Sequence, residues 1–272
     1  EDGGSYRLDV EIDDDITRFG IRGDAATTRE RRTLRACYRD AEAAIAAVVR
    51  IMGQPDVPCA LEFMDGAAVR LAQAWRDTGV LAGTGALLLI DVDGSAESVT
   101  LTQAAVAAAA AGSGMIAVEQ AETREQAEAL WACRKALSPS LRTLAPKKVN
   151  EDVAVPVSRL PALLTGIESI AADSGLQIVT FGHSGNGNLH VNLLANPDDP
   201  QQMQAIAPAL AQLFRRVLDL GGTLSGEHGV GIDKRDYVAW EIDPPSLSVM
   251  HGLKRLFDPA GILNPGKTLP DP

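Results

Sequence analysis

The sequence predicts an α+β fold: an antiparallel sheet covered by helices on one face. Three observations lead there. Aliphatic and β-branched runs alternate with helical periodicity along most of the 272 residues, the order that produces layered helices and strands. An Asn186-Gly187 dipeptide sits between two apolar runs, the strongest short signal for a hairpin and so for antiparallel neighbours. With 46% hydrophobic and 22% charged residues, the chain can bury a core as one large or two small units.

The elements follow in order. Residues 1–30 are acidic and Gly-rich, with Asp13-Asp14-Asp15 as a charge run, and read as a linker or peripheral segment. From Arg29 to Met52 the spacing of Leu34, Tyr38, Ala41, Ile45, Val48 and Val49 predicts a helix. A strand is expected at Ala60 to Met64, a helix from Ala67 to Arg76, and a strand at Ala86 to Val92. An Ala-rich helix starts near Ser95 and stops at Gly112. Met115 to Glu119 reads as a strand and Thr123 to Leu137 as a helix. The second half repeats the idea: a strand from Glu151 to Val157, a helix from Arg159 to Ser174, then a hairpin from Leu176 to Leu194. Helices from Met203 to Leu220 and from Ser246 to Leu256 complete it; His251 on the latter belongs to no motif.

Charge narrows the partners. The formal net charge is −11, from 36 acidic against 25 basic residues. Nucleic acids and anionic membranes reward basic surfaces, so neither is expected. An anionic substrate then needs a local basic pocket. Cys37, Cys59 and Cys133 are scattered, odd in number and lack Cys-x-x-Cys spacing, which suits reduced thiols and a cytoplasmic setting. No signal peptide or apolar run of membrane-spanning length is expected.

The chemistry concentrates in three places. If Asn186 and Gly187 form a two-residue turn, His183 faces His190 across the hairpin. Opposed residues have Cβ atoms about 4.5–5.5 Å apart, so two imidazoles there could converge on one metal ion; otherwise this is a Gly-rich turn with incidental histidines. Asn192 falls on the same face. A second island, Ser225-Gly226-Glu227-His228-Gly229-Val230-Gly231, sets a carboxylate beside a third histidine. Adjacent side chains diverge, so Glu227 could complete a His-His-Glu metal set while His228 faces a substrate as base. A plain loop with a capped glutamate is the alternative. Third, Arg134, Lys135, Lys147 and Lys148 cluster in an acidic chain. They either bind a carboxylate or complement a helix dipole.

At these residues the chain resembles a known family. Gly182-His183-Ser184-Gly185-Asn186-Gly187-Asn188-Leu189-His190, Gly226-Glu227-His228-Gly229-Val230-Gly231 and Phe257-Asp258-Pro259 through Asn264-Pro265-Gly266-Lys267 look like ordered signatures of FAD-linked 2-hydroxy acid dehydrogenases. Trp131-Ala132-Cys133-Arg134-Lys135, leading to Glu151-Asp152-Val153-Ala154-Val155-Pro156, matches as well. The resemblance covers about residues 60 to 270. It departs at Asn186, where the family usually carries Asp, and the first forty residues match poorly.

The resemblance implies a duplicated, ferredoxin-like cap domain over residues 31–272, with a C-terminal tail at 247–272 and the flavin-binding domain outside this chain. It implies oxidation of a D-2-hydroxy acid of lactate, glycolate or 2-hydroxyglutarate type to the 2-oxo acid, with FAD and a divalent metal, zinc or else manganese. His183, His190 and Glu227 would hold the metal, and His228 would act as base. Arg134 would grip the substrate carboxylate with help from Ser138 and Lys148, and Asn192 would hydrogen-bond the substrate or the metal-bound oxygen. Asn264 and Lys267 would lie toward the flavin. Partners would be a small anionic hydroxy acid, the flavin-binding domain and an electron acceptor; a homodimer is compatible with this. A metal-dependent hydrolase and a non-catalytic cap domain are the competing classes.

Overall fold

Two copies of a strand–helix–strand unit share one seven-stranded sheet in the computed structural model, which describes residues 6–13, 16–23, 30–144 and 147–271. Ahead of it, β1 (Tyr6–Asp13) and β2 (Ile16–Gly23) pair as a separate antiparallel hairpin in the segment read as a linker or peripheral. The first unit runs β3 (Glu30–Tyr38), α1 (Ala41–Met52), β4 (Ala60–Met64), α2 (Gly66–Trp75), β5 (Ala86–Gly94), α3 (Ala96–Ala110) and β6 (Met115–Gln120). Helices α4 (Arg124–Lys135) and α5 (Leu137–Leu144) connect it to the second. That unit runs β7 (Lys147–Ala154), α6 (Leu160–Ser174), β8 (Gln177–Gly182), β9 (Asn188–Ala195) and α7 (Pro200–Asp219). The chain closes with α8 (Val238–Glu241) and α9 (Pro244–Phe257).

Every junction in the large sheet is antiparallel, in the order β6-β3-β5-β4-β8-β9-β7. Within the first unit this is the fourth, first, third and second strand, the ferredoxin-like arrangement. The second unit repeats it as far as its third strand. Where a fourth would lie beside β7 there is one isolated bridge, Ala154 with Thr223. Beyond that bridge the chain enters its glycine-rich island instead of a strand.

Burial explains the layers. The face carrying Tyr38, Phe63, Leu88, Ile90, Leu189 and Val191 is covered by α1, α3, α6 and α7, the expected helical layer. The opposite face adds a smaller layer, α2, α4 and α5, over Met64, Leu87, Leu89, Phe181 and Leu194. No helix among the described residues is long and apolar enough to cross a membrane.

Three local expectations are corrected. Residues 30–38 are strand, not the start of a helix. Leu34, Ala36 and Tyr38 face one core while Cys37 faces the other; a strand buried on both sides loses the clean alternation that identifies it. The helix begins only at Asp40, whose carboxylate accepts from the Ala43 amide at 2.8 Å. The expected helix at 123–137 opens with a Thr123/Gln126 capping box and ends at Lys135; Pro139, in the first turn of the next helix, blocks continuation. Strand β7 sits earlier than expected because Pro156 cannot extend the ladder.

The hairpin register also changes. Phe181, not His183, pairs with His190, and five residues, 183–187, make the connection. The buried Ser184 hydroxyl donates to the Leu61 carbonyl at 3.0 Å, and the Val155 amide donates to the Gly187 carbonyl at 3.0 Å. These long-range ties win over the local turn preference. Gly187 sits at φ 74°, and a Cβ there would lie 1.9 Å from the Val155 carbonyl oxygen. Gly187→Ala should therefore cost more than about 2 kcal/mol in urea unfolding, from left-handed strain plus the backbone clash. A cost under about 0.5 kcal/mol would contradict this loop geometry.

Candidate active site

Strand β9 projects His190 and Asn192 to the face that holds their partners Asp152 and Asn150 on β7. His183 reaches the same place from the hairpin connection, by a different route from the register expected of it. The loop that replaces the missing strand delivers Glu227 and His228. His183 Nε2 lies 3.2 Å and His190 Nε2 3.5 Å from Glu227 Oε1. One ligand atom from each of the three lies within 4.8 Å of the others. The His183 and His190 rings meet edge to face at 5.3 Å, and His228 stacks on His190 at 5.1 Å with 12° between planes. His228 Nε2 is 3.8 Å from Glu227 Oε1.

Glu62, from the central strand β4, lies beneath this cluster. One carboxylate oxygen contacts His183 Nδ1 and the other accepts from Arg134 Nε at 3.0 Å. Arg134 is 3% exposed, its guanidinium 4.7 Å from the Phe181 ring centre. Burial alone would raise the Glu62 carboxyl, but the His183 hydrogen bond and the Arg134 charge hold it at about 2. For His183, burial opposes the charged form, and the Glu62 hydrogen bond and charge outweigh it to raise the pKa. His190 goes the other way: burial, then the charges of Arg134, His183 and His228, lower it to about 3. A neutral imidazole is the form a cation requires. Four buried polar atoms of this neighbourhood lack a hydrogen-bond partner among the described residues: Arg134 Nη2, His190 Nδ1, Asn188 Oδ1 and Asn192 Oδ1. Two imidazoles and one carboxylate are a donor set that fits a small cation, and the unpartnered polar atoms beside them leave hydrogen-bonding capacity for a polar ligand.

The other expected residues are placed as follows. Asn192 is buried, its amide donating to the Val179 carbonyl at 3.1 Å. Lys148 is exposed on β7, outside the cluster of contacts above. The Ser138 side chain lies outside the described residues. Asn264 and Lys267 are exposed in the tail, which folds back so that the Thr268 amide donates to the Gly231 carbonyl at 2.8 Å. His251, half-buried on α9, is away from these contacts.

Sequence reasoning missed the residues that fix the frame: Glu62, and the roles of Asp152 and Lys234. Glu62 is signalled as a lone charge inside an apolar strand and Lys234 as one at the end of a glycine-rich island, whereas Asp152 stands beside Glu151 in a charged strand and has no such signal. Asp152 is fully buried. One of its oxygens accepts from the Glu227 and His228 amides, the latter at 2.9 Å, and the other receives Lys234 Nζ at 2.6 Å. Lys234 Nζ also donates to the Asp152 and Leu224 carbonyls at 2.8 and 2.7 Å, using all three of its protons. Burial would raise the Asp152 carboxyl, yet the Glu227 amide, the Lys234 ammonium and the His228 amide hold it at about 2. Its stabilising contribution is therefore present above the ordinary 3.8 and lost as pH falls toward 2. Asp152→Asn should cost about 1–3 kcal/mol at neutral pH, because it removes one of the two carboxylates that face the buried Lys234 ammonium, the other being Glu151 at 3.4 Å. The variant's stability should also fall less than wild type's across that acid window in pH-dependent urea unfolding. Equal acid sensitivity would sink the assignment.

Comparison with known proteins agrees with this architecture. The family described as "FAD linked oxidases, C-terminal domain" matches residues 27–268. Glycolate oxidase subunit GlcD of Bacillus subtilis (strain 168) is 34% identical over 237 residues, 87% of this chain and 50% of the relative. D-lactate dehydrogenase of Anaerostipes hadrus is 33% identical over 240 residues, 85% of this chain and 50% of the relative. The chain thus spans about half the length of these curated relatives. A crystal structure of p-cresol methylhydroxylase with substrate bound has a TM-score of 0.67 at 14% identity, over 94% of this chain and 55% of that one, a likeness of fold. The family match takes in both units of the sheet, the histidine hairpin and the glycine-rich loop, and on that basis the chain belongs to the FAD-linked oxidases as their C-terminal domain.

Proposed function

We propose that this chain is the substrate-side half of a flavin-dependent dehydrogenase that converts a D-2-hydroxy acid to the 2-oxo acid, with His183, His190 and Glu227 holding one divalent cation, zinc or alternatively manganese. The carrying observation is the convergence of those three donors beside a stacked imidazole and a buried guanidinium with an unused Nη2. The named activities of the relatives, glycolate oxidase and D-lactate dehydrogenase, support the hydroxy acid. When bound, a cation on His183, His190 and Glu227 would supply Lewis-acid polarisation of a substrate hydroxyl, and a flavin would supply the capacity to take up a hydride.

The chain's own residues do the rest. Arg134, with Nε committed to Glu62, offers its remaining N–H groups to the substrate carboxylate and so fixes how the α-carbon is presented. His228, beside Glu227 and against His190, takes the hydroxyl proton as general base. Asn192 Oδ1 accepts a hydrogen bond from the bound ligand. Lys148 extends the anion-binding side, and Asn264 and Lys267 of the tail face the flavin.

Two measurements test this. His190→Ala should abolish stoichiometric metal in the purified protein, read by elemental analysis; unchanged metal content overturns the donor set. In the full-length enzyme, His228→Asn should lower kcat by about 10²–10⁴-fold with metal content intact. Metal lost along with activity would make His228 a ligand, and unchanged kcat would remove it from the mechanism.

A further inference from the structure

We propose that Glu62 is a positioning residue that selects which ring nitrogen of His183 faces a bound cation and, with its second oxygen, aims Arg134 at the substrate. This rests on the reading of His183, His190 and Glu227 as a metal centre. The geometry is specific. A carboxylate only accepts hydrogen bonds, so contact with Nδ1 holds a His183 proton there and leaves Nε2, the atom 3.2 Å from Glu227 Oε1, as the nitrogen open to a cation. The other oxygen takes Arg134 Nε at 3.0 Å, and Nη2 of the same guanidinium is buried without a hydrogen-bond partner among the described residues.

Stability alone does not ask for this arrangement. A buried ion pair can often be replaced by apolar residues without loss, and pairing Arg134 needs no contact with an imidazole. Glu62 also stands on a rigid base: Leu61 and Phe63 on either side of it are buried in the core, and Phe63 pairs with Gly182, the residue before His183. Metal-binding histidines characteristically have their second nitrogen held by a carboxylate or carbonyl, and losing that partner typically costs 10–100-fold in metal affinity. Here the same carboxylate also holds the anion-binding arginine, so cation and substrate carboxylate are set by one group.

A neutral amide cannot substitute. Glutamine brings one acceptor and one donor to a place where two donors converge. In metal-free full-length protein, with the pH raised until the His183 ring is neutral, nitrogen-15 shifts should place its remaining proton on Nδ1. Glu62→Gln should move or split that tautomer and weaken zinc binding, measured by chelator competition, about 10–100-fold. Because that variant leaves Arg134 buried against an amide, Glu62→Gln/Arg134→Met is the companion: it should recover thermal stability without recovering zinc affinity or tautomer. An unchanged tautomer in Glu62→Gln overturns the proposal. So does zinc affinity that returns with stability, because Glu62 would then serve only as a partner for Arg134. If wild type binds zinc and Glu62→Gln binds it equally well, this inference alone fails; if wild type takes up no zinc, the metal reading fails and this one with it.

Discussion

Where a fourth strand would continue the second unit, the chain makes a single bridge at Thr223 and then depends on the ion pair between Asp152 and Lys234 to keep its shape. A loop with glycines at 226, 229 and 231 has little local preference of its own. Asp152 supplies what a strand partner would have supplied, fixed acceptors for successive amides, here those of Glu227 and His228. The lysine is in turn fully committed to Asp152 and Leu224. The side chains that need fixed aim are thus carried on irregular backbone, and the rigidity comes from buried charge.

Glu62 works on the same principle from the other side. Each of the two carboxylates carries a desolvation penalty that is met by several donors at once, and each fixes two groups. The division is systematic: Asp152 governs Glu227 and His228, Glu62 governs His183 and Arg134. His190 is the member that needs no such holder. It projects directly from β9, a strand paired on both sides, and is wedged between the rings of Phe181, His183 and His228.

How much of this was legible in the sequence depends on how far each cause lies from its effect. Asn186-Gly187, the Thr123/Gln126 cap and the alternation of strands with helices act within a few residues, so the hairpin, the helices and the layered fold could be read. The His183–His190 association was read correctly for the wrong reason. The register was inferred from local turn preference, whereas Ser184 and Leu61, 123 residues apart, anchor the connection that brings the rings together. Strand β3 was misread because its two faces enter two different cores. Glu62 and Lys234 had no visible purpose in sequence, since their partners lie 121 and 82 residues away. A lone acid in an apolar strand is a signal that something must meet it, without saying what.

The junction between the two units has its own consequence. Strands β4 and β8 pair at only two positions, Phe63 with Gly182 and Met64 with Phe181, against five or more at every other junction of the large sheet. His183, His190, Glu227 and His228 all lie beyond that seam, while Glu62 and Arg134 lie before it. A hydroxy acid held by its hydroxyl on one side and its carboxylate on the other would span the thinnest join in the sheet like a clasp. Resistance to shear between the units would then come partly from the substrate itself, tightening when the centre is filled and relaxing when the product leaves.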